Sequence, residues 1–73
     1  MRKLNETEKR IRKELIHQIR LLLEWSDKIE KEYKASYWTR ASQINLSLFH
    51  LNLISAKNST ILDKIIEKKY FDR

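Results

Sequence analysis

Side chains able to do covalent or acid–base chemistry are few in this sequence, and their spacing does not gather them. There is no Cys, His occurs only at positions 17 and 50, and ten carboxylates are interspersed with sixteen Lys and Arg. A Gly-rich phosphate loop is excluded because the chain has no Gly, and neither a His-Glu-x-x-His motif nor a carboxylate pair in an apolar setting occurs. The expectation is therefore a protein that is not an enzyme, with no catalytic residue, no cofactor and no metal site. The residues with a clear chemical capacity are cations: Lys9, Arg10, Arg12, Lys13 and Arg20 crowd the N-terminal third. On a helix, Lys9, Lys13, His17 and Arg20 share one face, about opposite Leu15 and Leu22. Such a row attracts phosphate backbones or anionic headgroups, and its plainer role is a solvated face that keeps a small protein in solution.

Arg12 and His17 add a second reading, since Arg12-Lys-Glu-Leu-Ile-His17 resembles the Arg-x4-His motif of HEPN ribonucleases. The resemblance covers six of 73 residues and implies a ribonuclease using Arg12 and His17. The plain alternative, a solvated Arg and His on a charged helix, is preferred because the chain is short for that fold. His50, beside Phe49 and Leu51, is expected to be a neutral, hydrogen-bonded interior histidine rather than a switch or ligand. Asn45, Ser47, Asn52 and Ser55 recur in an apolar stretch and are expected to pair with each other or with a partner helix. Trp25, Tyr33, Tyr37 and Trp38 stand among Lys28, Lys31, Lys34 and Arg40. They read as the aromatic plug of a hairpin end, with a base-stacking platform as the other role.

The elements that must position these groups follow from charge and period. Residues 1–34 carry 17 charged side chains, residues 35–57 only Arg40 and Lys57, and residues 58–73 seven. A segment that poor in charge belongs between two neighbours. Apolar residues at Ile11, Leu15, Ile19, Leu22, Ile29 and Tyr33 predict one long amphipathic helix opened by a capping box at Asn5 and Glu8. Ile16, Leu21 and Leu23 broaden its apolar face beyond what one neighbour covers. Tyr37, Ala41, Ile44, Leu48 and Leu51 keep helical spacing through the middle segment, and no hairpin signal offers it a partner strand. The group Asn58-Ser-Thr60 is expected to cap a short last helix that ends on Lys68, Lys69 and Arg73. A turn at Lys34–Ser36 is favoured over a continuous helix across residues 5–57, because it buries the charge-poor segment.

The predicted fold class is all-α: a long helical hairpin or three-helix unit, forming one domain over residues 1–73 and self-associating into a helical bundle or coiled coil. Area scaling for an 8.9 kDa chain gives about 4,800 Å² folded, or roughly 60% of the unfolded surface buried, which is marginal without a partner. Leu21, Leu22, Leu23, Trp25, Trp38 and Phe49 are the expected interface residues of that homo-oligomer. The net charge of +6 makes nucleic acid the leading partner, with Lys9, Arg10, Arg12, Lys13 and Arg20 as its binding residues. The competing reading is an assembly or regulatory subunit docking on an acidic protein. A membrane partner is not expected, since Ile44–Ile54 is too short and too interrupted to span a bilayer. The charged N-terminus lacks a secretory signal, so a cytoplasmic location is expected. Richness in Ile, Lys and Asn suits an AT-rich genome such as that of a virus or mobile element.

Overall fold

A computed structural model describes residues 3–71, and among them the regular structure is entirely helical. Helix α1 spans Glu6–Trp25, a 3₁₀ turn covers Lys31–Tyr33, α2 spans Lys34–His50 and α3 spans Ala56–Phe71. The three-helix, all-α reading holds, and the continuous helix over residues 5–57 does not. The capping box is present in full. The Asn5 side chain accepts the Glu8 amide at 2.8 Å, and the Glu8 carboxylate accepts the Asn5 amide at 3.1 Å. Two of the four amides that a helix start leaves open are thereby satisfied.

The first turn lies earlier than the sequence predicts: α1 stops at Trp25, and the chain reverses through residues 26–30 rather than at Lys34–Ser36, which open α2. The cause is tertiary. The Ser26 amide turns to the Leu23 carbonyl at 3.2 Å, its hydroxyl donates to the same oxygen at 2.7 Å, and Ser26 is wholly buried. The Leu22 carbonyl, deprived of its usual donor four residues on, instead accepts the Tyr70 hydroxyl of α3. Burial is the larger reason that the Tyr70 phenol titrates above its ordinary value, with nearby Tyr37 adding to it.

The second turn is local. Asn52 has φ of 59°, Leu53 N–H donates to the Leu48 carbonyl at 2.9 Å, and Asn52 N–H donates to the Phe49 carbonyl at 3.0 Å. This is a Schellman ending, with Asn in the left-handed position that Gly normally takes. Helix α3 then starts at Ala56 instead of after Thr60, and the Ser55 hydroxyl, not the Asn58 group, accepts the open amide of Asn58 at 3.1 Å.

Helix α2 lies between α1 and α3, as its lack of charge requires. Leu4, Ile19, Ala41, Leu48, Leu53, Ile54, Ile66 and Tyr70 form the buried core. Asn45 is buried and donates to the Ser59 carbonyl at 3.0 Å while its own carbonyl accepts the Ser59 hydroxyl, so one of the expected interior polar pairs forms between α2 and α3. His50 is a correction: it is exposed at the end of α2, with its ring centre 5.7 Å from that of Phe49. Ile11 and Tyr33, assigned to the buried stripe, are exposed as well. The helices form a plate of 39 × 20 × 14 Å with a radius of gyration of 12.8 Å, against about 11 Å for a compact domain of this length.

Candidate nucleic-acid interface

Helix α1 divides its circumference between two tasks. Ile19 is buried and Leu15, Ile16, Leu22 and Leu23 are partly buried against the core, leaving the opposite side to solvent. That side carries the cations. Lys9, Arg10, Arg12, Lys13 and Arg20 line one shallow concavity of about 670 Å³, together with Glu14, Ile16 and His17. All five residues expected to bind nucleic acid are therefore brought to one surface. Arg12 is half-buried at its edge, and the other four are exposed.

Five cations facing one carboxylate form a positive surface with little internal neutralisation. Lys9 lies 3.7 Å from Glu6, both well exposed, and such a pair holds its charges only weakly. Among the described residues, Arg10, Arg12, Lys13 and Arg20 have no carboxylate within ion-pair distance. Lys9 and Lys13 are four residues apart on this face, and a bound polyanion relieves the repulsion between them. From Lys9 to Arg20 the helix rises about 16 Å, a length over which a duplex carries about ten phosphates.

Arg12 and His17 stand about 140° apart around the helix. Both line the concavity, but no hydrogen bond links them to each other. Among the described residues there is no group of three or more metal-ligating side chains, and no helix is long and apolar enough to cross a membrane.

The expected interface residues separate into different places. Leu21, Leu22 and Trp25 line a groove of about 340 Å³ between α1 and α2, which Tyr37, Arg40 and Ile44 complete from α2. Leu23 packs partly buried against the core instead. Trp38 meets Phe71 of α3 edge-to-face at 5.3 Å, and Phe49 lies beside His50. The aromatic plug is only half right: Tyr37 and Trp38 pack inward, whereas Trp25 and Tyr33 are 52% and 54% exposed. Lys28 sits 5.6 Å over the Trp25 ring. Sequence reading sets Tyr37 and Arg40 beside Trp25 at a hairpin end but misses the groove they form, because Ile44, its third residue from α2, fits the core stripe.

No protein-family model, curated protein or solved structure matches this chain.

Proposed function

We propose that this chain is a small, self-associating intracellular protein that binds nucleic acid through the cationic face of α1, by contacts to phosphate with little sequence preference. The observation that supports this reading is the set of Lys9, Arg10, Arg12, Lys13 and Arg20 around one concavity with Glu14 as its sole carboxylate. Phosphate contacts position a protein on nucleic acid without reading bases, and α1 is the outer helix of a plate rather than a projecting recognition helix. The turn-end aromatics are a weaker candidate, since four carboxylates and two lysines accompany Trp25 across residues 24–32.

Salt tests the reading directly. Mixed-sequence duplex should bind with an affinity that falls as salt rises, with a logarithmic slope of about 0.9 per phosphate neutralised. Changing Lys9, Lys13 and Arg20 together to Gln should reduce that slope by about 2.7 and weaken binding alike across sequences. Helix content should not change, because Gln is nearly as good a helix former as Lys. Folded protein that binds neither DNA nor RNA at low salt would refute the reading. The second reading, an assembly or regulatory subunit docked on an acidic protein, is favoured by the groove between α1 and α2, whose apolar lining carries Arg40 as its single charge.

A further inference from the structure

The cationic face of α1 includes one residue whose charge is conditional. Lys9, Lys13, His17 and Arg20 place one nitrogen-bearing side chain on each successive turn, so the imidazole stands where the row would otherwise continue with a permanent cation. His17 is exposed and lines the same concavity as Lys9, Arg10, Arg12, Lys13, Glu14 and Arg20. Helices α2 and α3 contribute no residue to that surface. Among the described residues, nothing stands within hydrogen-bond or ion-pair distance of the His17 ring, and this includes Glu14 three residues before it. Both ring nitrogens are open to a ligand.

Imidazole is the side chain whose ordinary titration falls between pH 5 and 8, whereas Lys and Arg stay charged throughout. A neutral ring offers one donor and one acceptor, and a phosphate oxygen can use only the donor. The protonated ring offers two donors and a full charge. The net charge of +6 counts His17 as neutral, so a proton on it is a sixth positive charge on a face that already carries five. Without a ligand, that proton has five cations and Glu14 around it. Against a phosphate backbone it meets an anion. Binding and protonation that favour each other in this way are linked, so the complex takes up a proton and acid strengthens binding.

We infer that His17 is a further phosphate contact of the α1 face, and that nucleic acid binds with uptake of a proton at its ring and more tightly as pH falls. This rests on the nucleic-acid reading above and adds to it a control by pH. His50, the other histidine, is exposed at the end of α2 and lines no part of the concavity. A window from about pH 8 to about pH 5.5 lies above the ordinary carboxylate range and below that of Lys and Arg, so it addresses the imidazole of this face.

Titration of the full chain with mixed-sequence duplex at the two ends of that window, over a range of salt, tests the contact. From the alkaline to the acid end the affinity should rise about fivefold, the worth of one unit charge beside phosphate in water. The logarithmic salt slope should steepen by about 0.9, as for one more phosphate neutralised. Calorimetry in two buffers of different ionisation enthalpy should show proton uptake on binding. His17→Gln should abolish all three effects, whereas His50→Gln should preserve them. His17→Lys makes the charge permanent, so at the alkaline end it should bind as tightly as the wild type does at the acid end and lose the pH dependence. Circular dichroism should agree among the His17 variants and the wild type, since the position is exposed and both replacements are good helix formers. Salt-sensitive binding that is equally tight at both ends, or a pH dependence that survives His17→Gln, overturns the inference and leaves phosphate binding by α1 standing. Absence of binding at both ends at low salt removes that reading and the inference with it.

Discussion

The two flanks of the central helix are built differently. Between α2 and α3 the seam is closed: Asn45 and Ser59 exchange hydrogen bonds, Trp38 meets Phe71, Leu48 and Ile66 are wholly buried, and a tight Schellman turn joins the helices. Between α1 and α2 the junction is looser. Its turn is longer, a groove remains along Leu21, Trp25 and Tyr37, and apolar side chains stay half in water. The open flank is the surface that the assembly-subunit reading assigns to a partner. The hydrogen-bonded polar pair belongs to the first flank and the cationic face to the helix on the second.

The contrast is sharpest in truncations. Leu48→Ala should destabilise by about 2–5 kcal/mol, because Leu48 is 0% exposed at the centre of the core. Leu21→Ala, measured by denaturation at a concentration where the chain is monomeric, should cost less than about 1 kcal/mol. Equal losses would show that the groove wall is part of the core and would remove the distinction. The turns are next. Asn52→Ile puts a β-branched residue at positive φ and should cost about 1–2 kcal/mol, whereas Asn52→Gly should be neutral or stabilising. The first turn has no such residue to break.

Tyr70→Phe probes how the looser flank is fastened and should cost about 1 kcal/mol, since it removes the donor to the Leu22 carbonyl. It also has a pH signature. The folded Tyr70 titrates above the ordinary 10.0 because burial disfavours the phenolate. Its contribution is therefore intact below pH 10 and is lost as pH rises through the raised value, and the phenylalanine variant should lack that alkaline decline. The smallest effect expected is that of Lys13→Ala, within about ±0.5 kcal/mol of stability, because Lys13 is exposed and fully on the cationic face.

Much of this contrast could be read in the sequence, and the exceptions have physical reasons. Asn5 and Glu8 announce the start of α1 through bonds that span three residues, and the charge-poor α2 announces its place between two neighbours. The end of α1 cannot be read in this way. The stripe continues in phase past Trp25 to Ile29 and Tyr33, no Gly or Pro interrupts it, and the group that closes the Leu22 carbonyl comes from α3. Ser55 reads as an interior polar residue in the sequence because its neighbours Asn58, Ser59 and Thr60 are equally good capping types. His50 follows from the displaced helix end: one turn from a Schellman stop, it points to solvent instead of into a longer helix. The cationic residues could be named because an exposed helix face depends on period alone. The full groove could not, since half of it comes from α2.

The bond from Tyr70 to the Leu22 carbonyl joins residues 48 apart in the chain, and it ties the two outer helices directly to each other. Neither the last turn of α1 nor the C-terminal turn of α3 can open without leaving the other's polar group unpaired. The two outer helices are therefore expected to fray as one unit, with a shared opening free energy in native-state hydrogen exchange. With the bond removed, the same helices would separate into a firm α2–α3 hairpin and an α1 whose C-terminal amides exchange first.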